Sequence, residues 1–543
     1  MTRAPLSPGI GLAAVTFVVL AAGLLAPRPA VAQTSVAGQT DQSAAQAAPA
    51  APVAPSVTVS AETLVPHGPT GRLLARIDVP AEAAANPVLA PDAAGPDARR
   101  LRTWVAEGSA AGLAGVFYDN RDGGHSRLSP RQFPQLTHIA YDDALRGRDA
   151  DRALAVGMLF PGPVLGNASL AVTGGPQARS LPRLAMTTPG LPMATAVGYF
   201  SNHLYVYPGH RDVRDGRDLL PAMLPYFAIS LGSSGSDQPL LEALALSLAA
   251  LRPDTRARAE AEGLLAPTLT MVMRRSLQGV SDYLSPAAHP AAIHRNRLRP
   301  TAMMSLAQAL TPEALPPVVM LRVLQEDFSE AAGLAGRSER LFDTPAAVAR
   351  LWRGFEGRRE MVVSTAATRD PNGRELQIHW VLVSGDPDRV RIEPQDPAGR
   401  RARIVIDWHD VPFRHGPDGF ERNRVEIAAI AWNGAQFSAP SFITVAFPQT
   451  ETRVHGPDAS GVPQLVSIDY RAAARGEEFD PVLWWQAPWR DVAIRDDLGR
   501  LIGWRREAEG APLVTVSPPD FGRYRLTGAD GATPTLHWEP TAD

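Results

Sequence analysis

The sequence predicts an α/β or α+β main domain, then an antiparallel β-sandwich, then a small β-rich extension. Three observations predict it. Short apolar runs of strand length are separated by Pro- and Gly-rich connections before residue 231 and give way to helix-period leucines after 237. From about 360 to 447 the apolar period changes to two. Beyond 449 the chain is rich in tryptophan.

The first 32 residues read as an export signal. Arg3 is the only n-region charge, Gly11 to Leu25 is uncharged and apolar, and Ala30-Val31-Ala32 is a small-residue cleavage site. The expected location is extracytoplasmic, periplasmic or secreted, with no membrane span in the mature chain. Residues 33–56 are mostly Ala, Gln, Ser and Pro and bury too little apolar surface to offset their ordering entropy, so a disordered linker is expected there.

Composition excludes several chemistries. The chain has no cysteine, which rules out disulfides, thiol catalysis and Cys-ligated zinc. Every one of its 53 basic residues is arginine, so neither a Schiff-base lysine nor a Walker lysine exists. The net charge of −3 is small, and nothing suggests a nucleic-acid partner, which would need a basic face. No cofactor motif is complete, so no cofactor is expected. Oligomeric state leaves no signal in the sequence.

The main domain is expected over 57–355. Strands are expected at "SVTVS" (56), "GVFYD" (115), "VGMLF" (156), "LYVY" (204) and "YFAISL" (226). Helices follow. In "LLEALALSLAAL" Leu240, Leu241, Leu244, Leu248 and Leu251 share a face, and Pro253 ends the run. Further helices are expected at "PTLTMVMRRSLQGV", "AMMSLAQAL", "VVMLRVLQEDF" and "PAAVARLWRGF".

Over 360–447 the strands "ELQIHWVLV", "RARIVIDW", "NRVEIAAIAWNG" and "SFITVAF" lie about ten residues apart, as an antiparallel sandwich requires. Asp370, Pro371, Gly373 and Leu376, followed by Trp380, resemble the pattern that leads to the buried Trp of PKD-type, immunoglobulin-like modules. The resemblance covers roughly 90 residues. It implies an immunoglobulin-like β-sandwich with Trp380 as core Trp, Asn433-Gly434 in the last hairpin turn, and a spacer or binding role without catalytic residues. "VSGDPDRV" stands where the family has an acidic-aromatic glycine turn. The extension over 449–543 carries a hairpin expected around Gly499 and a Trp cluster. Trp484, Trp485 and Trp489 either stack on sugar rings or form the core of a small β unit.

Two stretches of the main domain could carry chemistry. "LGSSGSDQP" joins an expected strand to an expected helix. Gly232, Gly235 and the N-cap Asp237 form either an anion loop or a capped turn. Asp237 opposes an anion, because its carboxylate would take the helix N–H groups itself. Ser234 or Ser236 could be a nucleophile, although the second glycine stands one position early for a nucleophile elbow. The other stretch is "NHLYVYPGHRDVRDGRD". As a strand it puts His203, Tyr205 and Tyr207 on one face, with His210 and Asp212 in the following turn. His203 or His210 with Asp212 and one serine would suit hydrolysis. No metal is expected, since Arg211, Arg214 and Arg217 interleave Asp212, Asp215 and Asp218.

Two functions follow as expectations. The first is an envelope or extracellular recognition protein whose partner is a polysaccharide or envelope protein. The alternative is a secreted hydrolase with a Ser/His/Asp-type site.

Overall fold

Residues 54–543 are described by a computed structural model, apart from 122–123, 146–157, 168–170, 173–178, 211, 335, 459–460, 462, 471–482, 485, 510–513, 517–522, 528–534 and 540–543. The expected signal and nearly all of the expected linker lie outside the described residues. The first strand, β1, is Ser56–Val59, so Ser56 belongs to the fold and not to the linker.

The run at 156 forms only Met158–Leu159, a two-residue strand of another sheet. The parallel sheet has six strands, those at 56, 117, 203 and 227 where apolar strand-length runs predict them and two, at 137 and 164, unforeseen. They are β1, β2 (Phe117–Asn120), β3 (Thr137–Tyr141), β4 (Val164–Asn167), β5 (His203–Pro208) and β6 (Phe227–Ser230). They pair in the order β1-β3-β2-β4-β5-β6, and every pair is parallel. The N-terminal part is therefore α/β. A parallel sheet is covered on both faces, which explains why β4, β5 and β6 are buried at every position. From β2 the chain steps to β3 on one side and then to β4 on the other. The switch point lies between β2 and β4.

Helix α1 (Pro96–Ala106) precedes β2, and α2 (Gln238–Ala250) follows β6. The leucines foreseen on one face of α2, Leu240, Leu241, Leu244 and Leu248, are all buried. Helices α3 (Leu265–Arg275) and α4 (Pro300–Ala309) fall where the helical periods place them.

Two expected helices are strands. "VVMLRVLQEDF" contains β7 (Arg322–Glu326), and "PAAVARLWRGF" contains β9 (Ala347–Leu351), with β8 (Arg340–Thr344) between them. β9 is buried throughout and sits between two partner strands, a placement that local periodicity cannot signal. The sheets of the C-terminal half thus begin at Arg322, well before the period-two pattern.

The next strands are β10 (Arg358–Ser364), β11 (Gln377–Ser384), β12 (Val390–Pro394), β13 (Arg401–Asp407), β14 (Arg424–Trp432) and β15 (Ser441–Ala446). They build a four-stranded sheet, β7-β10-β13-β12, and a five-stranded sheet, β8-β9-β15-β14-β11. Met361, Ile404 and Ile406 of the first share an apolar cluster with Ile378, Ile427 and Val445 of the second. The opposite face of the five-stranded sheet, through Ala349, Ile430 and Phe442, joins the core of the α/β part. Burial on both faces accounts for the unbroken apolar run of β14.

Trp380 is not the enclosed core Trp. It lies on the edge strand β11, is half-buried, and donates its indole N–H to the Gly399 carbonyl at 2.9 Å. Trp352 and Trp408 fill the interior instead. The Asn433-Gly434 turn is present. Asn433 Oδ1 accepts from the N–H groups of Ala435 and Gln436, and Gly434 has φ 86°. Asp370 accepts from the backbone N–H groups of Asn372 and Arg374 and from the Asn433 side chain, as a turn residue does.

In the tail, β16 (Thr452–Pro457), β17 (Pro463–Asp469), β18 (Trp489–Arg495), β19 (Leu501–Ala508) and β20 (Val514–Val516) form a sheet in that order. β18 and β19 are the foreseen hairpin, with Gly499 at φ 76°. Among the described residues no helix is long and apolar enough to cross a membrane.

Candidate functional site at the carboxyl edge of the parallel sheet

In open parallel sheets, ligands bind outside the carboxyl ends of the strands, where the strand order reverses. Here that place is the end of β2 and β4. Strand alternation sends Asp119 to one face of β2 and Tyr118 and Asn120 to the other.

Asp119 is fully buried and collects three donors. Tyr205 Oη donates to Oδ2 at 2.8 Å, Arg121 Nε donates to the same oxygen at 2.8 Å, and Tyr141 Oη donates to Oδ1 at 3.1 Å. Arg121 also donates to the Tyr141 hydroxyl and lies over its ring. A buried carboxylate needs such partners, and charge-assisted bonds are the strong ones. Burial first, and then the charge of Asp119, raise the Tyr205 hydroxyl well above its ordinary pKa. It stays protonated and donates.

A second chain of bonds runs from the other face. Tyr118 Oη donates to Asn167 Oδ1 at 2.7 Å and accepts from Leu128 N–H at 3.0 Å. Asn167 Nδ2 donates to the Ser126 carbonyl, and Ser126 Oγ donates to Asp237 Oδ1 at 2.5 Å. This links the ends of β2 and β4 to the start of α2.

Asp237 is therefore not the side-chain cap expected of it. It occupies the N-cap position but makes no capping bond to its own helix. Pro239 at the second helical position removes one of the two N–H groups a cap could take, and the Asp237 backbone is itself helical (φ −83°, ψ −14°) where a cap is normally extended. The carboxylate turns to Ser126 instead.

The serine loop is a tight turn at the end of β6. Gly232 has φ 143°, and a Cβ there would stand 2.6 Å from Ser236 Cβ; Gly235 has φ 89°. Ser236 Oγ lies 2.8 Å from Ser230 Oγ, and Ser234 is exposed. His210 borders this loop, since its N–H donates to the Gly232 carbonyl at 2.8 Å. Asp212 is buried and ion-paired with Arg183 at 2.6 Å.

His203 lies elsewhere. It opens β5, whereas Pro208 at the far end of β5 pairs with Ser230. Five residues of strand put it about 17 Å below the serines, too far for proton transfer. It is hydrogen-bonded to the Phe160 backbone and packed near the Phe160 ring. Desolvation, opposed by Asp119 and the Phe160 bond, lowers its pKa to about 4. The triad with His203 is not assembled.

The remaining candidates are internal. Trp484 and Trp489 are buried, with Trp489 under the Arg506 guanidinium at 4.1 Å. Their faces are not offered to a sugar ring. Trp485 lies outside the described residues. Of the aspartates in the 212–218 loop, Asp215 faces Arg214 and Asp218 is buried against Arg422 and Arg424.

Sequence reasoning missed Asp119, Arg121, Tyr141, Asn167 and Ser126. The signal was present in "VFYDN" and "PVLGN", where polar residues close an apolar strand.

No family model matches the chain, and no curated protein matches it. One solved structure aligned to it is described as a nucleoside hydrolase-related hypothetical protein from Saccharophagus degradans that is associated with carbohydrate metabolism. It is 10% identical, spans 62% of this chain and 100% of its own, and has a TM-score of 0.20, which carries no argument about this protein.

Proposed function

We propose that this is an exported binding protein whose ligand sits at the carboxyl edge of the parallel sheet, above β2 and β4. The observation that supports the reading is the convergence of Asp119, Arg121, Tyr141 and Tyr205 with Tyr118 and Asn167 at the point where the strand order reverses. Asn120 and Tyr141 are half-buried there and can meet a ligand, while Asp119 holds Tyr141 in place. Neutral amide and phenol groups suit a hydroxyl-rich ligand such as a polysaccharide fragment. The extracytoplasmic location rests on the signal-like first 32 residues. The two sheets over 322–446 act, on this reading, as an immunoglobulin-like module of PKD type that serves as a spacer or second contact surface.

The test is calorimetric titration of cello-, malto- and chito-oligosaccharides into wild type, Asn120→Ala and Tyr141→Phe. Saturable binding to one of them, weakened about tenfold in either variant, supports the site. Absence of binding to all three, or binding that both variants retain, removes it.

The alternative, a hydrolase, retains one supporting observation: His210 adjoins the loop of Ser234 and Ser236. Fluorophosphonate labelling that Ser234→Ala or Ser236→Ala abolishes would establish it. Background labelling of wild type would end it.

A further inference from the structure

A cleft lies outside the Asp119 network and shares no lining residue with it, and the inference drawn from it does not rest on the reading above. It is bounded by the segment 89–98 leading into α1, the segment 129–133 between β2 and β3, and one face of α2, and it encloses about 450 Å³. Small-molecule sites fall in the range of roughly 300–1,000 Å³. We infer that this cleft binds an organic cation with an apolar body.

Its floor is apolar. Leu246, Ala98 and Pro96 present apolar surface to it, backed by the buried Leu89 and Phe133. Its walls are acidic. Asp92, Asp97 and Glu242 line it against a single guanidinium, Arg131. Arg131 is engaged with Asp92 at 2.7 Å. Asp97 accepts from the Thr301 hydroxyl through both oxygens, and Glu242 accepts from the Gln238 amide at 2.6 Å. These donors are neutral, so among the described residues neither Asp97 nor Glu242 has a cationic partner. The partial positive charge at the start of α1 is offset by Asp97 in its own first turn. The cleft as a whole attracts positive charge.

The walls are also fixed in place. Ala90 N–H donates to the Gln132 carbonyl at 3.0 Å, and Arg102 donates to the carbonyls of Ala90 and Ala93. A preformed cleft lowers the ordering cost of binding. A bare divalent ion does not fit this description, because it needs six or more oxygens and gains nothing from the apolar surface of Leu246 and Pro96.

The experiment is titration of hexylamine, hexan-1-ol and hexanoate into the full chain at neutral pH, at low and high salt. Hexylamine is expected to saturate in the millimolar range, with the alcohol and the acid at least several-fold weaker. Asp97→Asn and Glu242→Gln are each expected to weaken hexylamine roughly threefold, and added salt to weaken it further. Both residues lie at the surface of the cleft, and the near-ultraviolet circular dichroism of each variant checks that the fold persists. Equal binding of hexan-1-ol, undiminished hexylamine binding in the double variant, or no saturation by hexylamine would overturn the inference.

Discussion

Tyr205 reaches Asp119 across an intervening strand by lying over Gly166. The three residues stand in register on β5, β2 and β4, and the Tyr205 hydroxyl meets Asp119 Oδ2 at 2.8 Å. Two strand spacings are about 10 Å, which a tyrosine spans only if nothing stands between. A Cβ on Gly166 would lie 2.3 Å from the Tyr205 ring. Gly166→Ala is therefore expected to push the ring aside and cost about 1–3 kcal/mol. Tyr205→Phe keeps the packing and loses one bond to a buried carboxylate, at a cost of about 1.5–3 kcal/mol. Denaturant unfolding of both variants measures this, and an unchanged midpoint in both would refute the arrangement.

The α/β part is joined to the five-stranded sheet by a buried charge cluster. Arg424 donates to Asp218 at 2.5 and 2.9 Å and to Glu426 at 2.5 Å, and Arg422 donates to Asp218 at 3.1 Å. Removing one member leaves an uncompensated buried charge. Asp218→Ala is expected to cost about 3–5 kcal/mol, read as a lower thermal midpoint.

The same cluster sets a dependence on acid. Burial alone would raise the Asp218 carboxyl, but Arg424 and Arg422 outweigh it and hold it below the usual range. Its stabilisation is present above the unfolded carboxyl pKa and is lost as pH falls through the lower folded value. Burial raises Glu426, with Arg424 and Arg422 opposing, so its contribution has the other sign and declines as pH rises above the ordinary glutamate value. Stability of Asp218→Asn measured from neutral pH downward should lack the steepest acid loss.

Histidine burial acts at higher pH. Desolvation holds His203 at about 4 and His289 at about 3, so both stay neutral in the fold while the unfolded chain protonates them near 6.5. Stability is expected to fall as pH drops from 6.5 towards 4, by about 1.4 kcal/mol per pH unit for each such group. His203→Gln should remove one proton from that slope. A slope unchanged in the variant would mean that His203 protonates freely in the fold.

Trp489 tests the assignment of the tail. Its indole N–H bonds Asp491, and its ring packs with Leu465, Ile468 and Trp504. Trp489→Ala is expected to destabilise by about 3–5 kcal/mol, as other large core truncations do. A stable variant with altered oligosaccharide binding would return it to the surface.

Features that depend only on neighbours along the chain were legible in the amino-acid order. It placed β1, β2, β5 and β6, the leucine face of α2, the period-two strands and the turn at Gly499, because those follow from local periodicity and backbone preference, while the Asn433-Gly434 turn was implied by the family resemblance. It also determined what chemistry is excluded, since no thiol or lysine exists to perform it. Long-range packing sets which strand ends meet. Asp119 and Tyr205 are 86 residues apart, and Ser126 and Asp237 are 111 apart. It also turned "PAAVARLWRGF" into a strand, set His203 at the wrong end of β5 for the serines, and buried Trp489. The physical reason is common to all of these. Register and burial are fixed by partners distant in sequence, and a short apolar run accepts either a strand or a helix until such a partner is in place.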